Sequence, residues 1–181
     1  GSSAYVGLTG LFGLVPLVVF GLWGGAIADV FDRRMILIVT TLGLIGTAAA
    51  FWLQAFLGLD DVWLLLGLFA LQQAFFAVNQ PTRVAVLPRI LQAEDLPAAN
   101  SLNMTVMQAG AIAGPLVGAS LIPVLGFALL YLVDALSLLA TLWAVLALPA
   151  LMPERADDYR PRTPGLRSVI EGLVYLKGHP V

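Results

Sequence analysis

The sequence predicts an all-α, polytopic membrane protein, and three observations lead there. Of its 181 residues 60% are hydrophobic and only 11% charged, with a mean hydropathy of +0.93, far outside ordinary globular composition. The apolar residues gather into uncharged runs of about 20 residues or more, the length a helix needs to cross the hydrocarbon core. Finally, the nine Lys and Arg residues all fall in the gaps after the first, third and fifth runs, the asymmetry that distinguishes cytoplasmic from outer loops. The same composition excludes other classes. A formal net charge of -2 leaves no basic footprint for nucleic acid, and the absence of cysteine excludes disulfides and thiolate metal sites. A soluble bundle would need polar helix faces at a 3.6-residue period, which these runs lack.

The first span takes about residues 7–28, inside the uncharged stretch from Gly1 to Ala28. The second runs over about 35–57 and the third over about 62–80. Leu96 to Val133 is uncharged for 38 residues, which as helix would be roughly 57 Å long at about 1.5 Å per residue. That is too long for one crossing, and the Pro123 and Gly126 pair in "IPVLG" is the turn signal that divides it. The two resulting spans are about 98–122 and 127–149. The unit 1–150 is thus expected to hold five transmembrane helices. Residues 151–181 begin rich in Pro and charge, as a loop. From Gly165, Leu166, Val169, Ile170, Leu173 and Val174 recur at helical spacing, which fits a short amphipathic helix at the inner surface or the run-in to a further span. His179 reads as a loop residue.

Arg33, Arg34, Arg83 and Arg89 fall on one side, with Arg155, Arg160, Arg162, Arg167 and Lys177. The other side carries Asp60, Asp61 and the uncharged turn near Pro123. The expected orientation puts the N-terminus of this chain outside and the C-terminus in the cytoplasm of a multi-pass plasma (inner) membrane protein. The chain starts without methionine or the basic n-region of a signal peptide, so it is expected to be cut from a longer protein.

Charge is scarce enough that "GGAIADVFDRRM", Gly24 to Met35, stands out. Asp29 falls at the C-terminal end of a helix, where the dipole disfavours an anion, and Arg33 and Arg34 open the next, where it disfavours cations. Asp32 is placed to N-cap the helix starting at Arg33. Asp29 either pairs with Arg33 across the turn or meets a distant helix N-terminus or arginine. In the fourth span, Gly110, Gly114 and Gly118 recur every four residues and form a stripe where another backbone can come close. Pro115 frees the carbonyl of Ala111 and permits a bend. Asp134 is the carboxylate well inside a span, and intramembrane polar groups are functional candidates because burying them in hydrocarbon is expensive. It is a candidate for a proton or substrate site; facing a neighbouring helix or water is the plainer reading. Gln72, Gln73, Asn103 and Gln108 could line a cavity or bond between helices. No His cluster or carboxylate pair suited to catalysis lies at membrane depth, so an enzyme is not expected.

The run "GAIADVFDRR", Gly25 to Arg34, resembles the loop signature of the major facilitator superfamily: glycine, three residues, aspartate, then an arginine pair. Asp32 stands where glycine is usual and Val30 where a basic residue is common, and the drug and siderophore exporter branch often reads "DRFDRR" there. "QAGAIAGPLVGA" is similar to the fifth-helix motif of drug/proton antiporters as far as Gly118, with Ala119 in place of the last glycine. "NQPTRVAVLPRILQAEDLPAANSLN" is similar to the loop between the fourth and fifth helices of the same branch.

The resemblance implies that the chain covers helices two to six of twelve plus the start of the central loop. That is an incomplete N-terminal six-helix half, whose partners are the missing first helix and C-terminal half, the lipid bilayer and a small-molecule substrate. It implies a conformational latch on Asp29 and Arg33, with Gly25 and Arg34 in the same motif. The implied function is proton-coupled efflux of a small amphiphilic compound by alternating access, driven by the proton gradient without a bound cofactor. A non-transporting membrane scaffold or binding protein sharing the fold is the alternative.

Overall fold

The structure is a computed structural model that describes the backbone of residues 3–149 and their side chains apart from residues 3, 4, 6 and 24–30. The segment 151–181, with its expected amphipathic helix and His179, lies outside the described residues. Four helices follow in order: α1 Ser3–Val30, α2 Arg33–Phe56, α3 Val62–Ile90 and α4 Leu96–Leu146. Of these, α2, α3 and α4 are long and apolar enough to cross a membrane, and α1 carries an apolar stretch over Gly7–Trp23.

Local chemistry sets the helix ends. The Asp32 carboxylate accepts from the Arg34 amide at 2.8 Å, satisfying one of the donors left free at the start of α2. At the other end Gly58 takes φ +64°, and its amide donates to Ala55 O at 3.3 Å while that of Leu59 donates to Gln54 O at 3.0 Å. This is a Schellman turn, which needs a left-handed residue. The Gln54 side chain then donates to Leu59 O at 3.2 Å and Asp61 O at 3.0 Å, and Asp61 caps α3 through the amides of Trp63 and Leu64. The short turn between α2 and α3 is pinned from both sides.

Two prolines lie inside α3, Pro81 and Pro88, and the helix continues past residue 80 through both. Thr82 bonds back to Val78 O at 2.7 Å, so a polar side chain shares the stretch that Pro81 disturbs. The chain between α3 and α4 is therefore short. In α4, Gly126 has φ 71° and ψ 169°, a conformation almost confined to glycine. It breaks the 51-residue run into two helices at the "IPVLG" turn, and Pro123 stays inside the first.

The helices pack in the spatial order α1, α3, α2, α4. α2 lies against α3 and against α4, α1 packs on α3, and α3 scarcely meets α4. The second part of α4 runs along α2: Tyr131 stacks on Phe51 with ring centroids 5.1 Å apart, and Val145 joins Leu37 and Val86 in a buried cluster at the arginine-bearing end. Gly43 lets the Phe75 ring of α3 rest on the backbone of α2, where a Cβ would come within 2.5 Å of it. The first part of α4 is different. Leu102, Met104, Val106, Ile112 and Leu116 are all more than 60% exposed.

Candidate functional site

The two arginines at the start of α2 reach to the ends of two other helices. Arg33 Nη1 donates to Ala85 O in the last turns of α3 at 2.8 Å, and Arg34 Nη2 donates to Leu146 O, the final residue of α4, at 2.8 Å. Both side chains are partly buried, and their Nε atoms are buried without a partner among the described residues. A cation is disfavoured at the N-terminus of its own helix but favoured at the C-terminus of a neighbour. The fold thus turns a locally unfavourable position into a favourable one. The side chains of Gly25 and Asp29 lie outside the described residues.

Of the polar residues along the helices, the structure brings Gln73 into a groove between α1 and α3 of about 510 Å³. Thr9 stands across from it on α1, and Leu14, Leu17 and Phe69 supply apolar wall. Gly13 allows this approach, since a Cβ there would lie 2.9 Å from the Phe69 ring. The groove is shallow and open, with a mostly apolar lining. Gln72 is half-buried nearby in sequence, while Asn103 and Gln108 are exposed on the first part of α4. Asp134 lies on an exposed side of the second part, where the Ser137 hydroxyl donates to its backbone carbonyl at 2.8 Å. Neither it, Asn103 nor Gln108 lines the groove.

Gly110, Gly114 and Gly118 have open space around them, with nothing within 4 Å of an added Cβ. Pro115 sits within the helix beside them. Among the described residues no neighbouring helix uses this stripe. A polar cluster elsewhere escaped the sequence reading: Asn79 Nδ2 donates to Thr40 Oγ1 at 2.8 Å and Thr41 Oγ1 at 3.3 Å, joining α3 to α2. All three are buried. The available signal was an asparagine inside an apolar run, together with a threonine pair on the preceding span. No group of side chains able to hold a metal ion occurs among the described residues.

These features coincide with a family match along almost the whole chain: the family described as transmembrane secretion effector matches residues 1–177. The chain belongs to that family of major facilitator transporters. These are transporters, not enzymes. The enterobactin exporter EntS of Shigella boydii serotype 18 is 30% identical over 181 residues, covering 97% of this chain and 40% of the exporter. EntS of Escherichia coli O1:K1 / APEC is 29% identical with the same coverage. An uncharacterized MFS-type transporter of Bacillus subtilis strain 168, YfiS, is 24% identical over 168 residues, covering 92% of this chain and 39% of that protein. No solved structure matches this chain. It spans about two fifths of the length of the curated relatives it matches, 40% in the enterobactin exporters.

Proposed function

We propose that the protein containing this chain is a proton-coupled exporter of a small amphiphilic compound, a siderophore or a drug-like molecule, working by alternating access in the inner membrane. The observation that carries this reading is the family match over residues 1–177, together with relatives named as enterobactin exporters along 97% of the chain. In this reading α1, α2, α3 and the two parts of α4 serve as five spans, with the arginine-bearing end inside. In such a carrier two halves rock about a central site. Asp29 and Arg33 form the inner latch between the halves, with Gly25 in the same motif. The groove at Gln73 contributes one wall of the substrate path, with Gln72 beside it. Asn103 and Gln108 face the same path from the first part of α4, and the stripe of Gly110, Gly114 and Gly118, with Pro115, meets the remainder of the transporter. Asp134 carries the proton.

The test is a flux assay with the full-length protein in liposomes bearing a proton gradient, using catecholate siderophores and hydrophobic cationic drugs as candidate substrates. Substrate-dependent proton movement is expected, with its pH dependence altered by Asp134→Asn. A protein that inserts and folds yet moves neither protons nor any such compound would favour a membrane scaffold instead.

A further inference from the structure

We propose that Arg34 is a positioning residue that pins the exit of α4 to the start of α2, so that these two helix ends travel as one block. Its guanidinium bridges 112 positions of sequence to the Leu146 carbonyl at 2.8 Å. That carbonyl belongs to the last residue of α4, one of the terminal groups that a helix cannot satisfy internally. The arm starts from a fixed point, because the Arg34 amide is held by the Asp32 carboxylate at 2.8 Å. The bond itself is exposed, and it lies next to a buried cluster of Leu37, Val86 and Val145 flanked by Ile38 and Leu148, which brings the two helix ends together.

The clamp matters because α4 has few other anchors. It is broken at Gly126, its first part is largely exposed, and it scarcely meets α3. The second part is therefore located chiefly by α2, through the Phe51–Tyr131 stack toward one end and Arg34 at the other, where Val86 adds the contact from α3. A latch between halves must open and close with each cycle. The Arg34 contact lies within one half and stays made in both states.

The experiment uses the full-length transporter in lipid nanodiscs with nitroxide pairs read by dipolar broadening. One pair replaces Val39 and Trp143, exposed residues near the clamp; a control pair replaces Leu53 and Leu129, exposed residues toward the opposite end. With Arg34 present, both pairs should give narrow distances that are the same at high and low pH and with or without an added catecholate siderophore. In Arg34→Ala the fraction of Val39/Trp143 pairs outside that distance should rise about tenfold, the expected consequence of losing a hydrogen bond from a charged donor, while the control pair stays narrow. Arg34→Gln, a milder change with a shorter donor, should show the same selective broadening and supplies the readout where Arg34→Ala does not fold. An unchanged Val39/Trp143 distance in the variants, equal broadening at both ends, or a shift of that distance between conditions in the unmutated protein would overturn the proposal. The readout needs no transport, so a failed flux assay leaves it intact.

Discussion

Asn79 offers a quantitative test of what joins α2 to α3. Its side chain is only 4% exposed, and its amide donates to Thr40 Oγ1 at 2.8 Å and Thr41 Oγ1 at 3.3 Å. In hydrocarbon, where apolar side chains gain little from leaving lipid, such bonds and close packing hold helices together; each is worth about 0.6 kcal/mol on average and up to about 1.7. Thr40 also donates to Ile36 O at 2.8 Å, so its hydroxyl proton keeps a partner when Asn79 is removed. The loss in Asn79→Ala is then the interhelical bonds plus a small cavity, about 1–3 kcal/mol together. Reversible unfolding of the full-length protein in mixed micelles, titrated with a denaturing detergent, measures it. A double-mutant cycle with Thr40→Ala isolates the shared part, for which a coupling of about 1 kcal/mol is expected. Additivity of the two substitutions within about 0.3 kcal/mol would show that the sites act independently and would refute the reasoning.

The remaining expectations concern motion, packing and topology. Asp29→Asn in the full-length protein should favour the inward-open state and slow turnover, because the proposed latch would then lose a charge-assisted contact worth about 1.5–3 kcal/mol from one state only; spin-label distances across the inner face that do not move would leave the latch without support. Gly43→Ala should lower stability by about 1–3 kcal/mol through overpacking against Phe75, measured by the same detergent titration. Gly114→Leu meets open space in these helices and should instead reduce transport at normal expression, whereas unchanged transport would mean that this face touches lipid alone. Cysteines placed singly at Asp61 and Pro123 should react with an impermeant thiol reagent from outside and those at Asp32 and Ala93 should not, the reverse pattern contradicting the orientation.

Several features of this chain are legible in the sequence because their causes are local. Asp32 and Asp61 cap their helices through amides two and three residues away, and the break in α4 falls at Gly126 because no other residue type readily takes its dihedral angles. The family motif around Gly25 to Arg34 is equally a matter of adjacent residues. What α2 does with its arginines is not local. Helix dipoles read along the chain make Arg33 and Arg34 misplaced cations, and only the packing of α3 and α4 beside α2 supplies the carbonyls of Ala85 and Leu146 as acceptors. In the same way Asn79 finds Thr40 across 39 positions, and α3 runs through Pro81 and Pro88 where local preference suggested that it stop. Tertiary structure decided these because a hydrophobic run of given length fixes that a helix crosses, whereas which polar group meets which depends on how each helix is rotated and how closely its neighbour approaches.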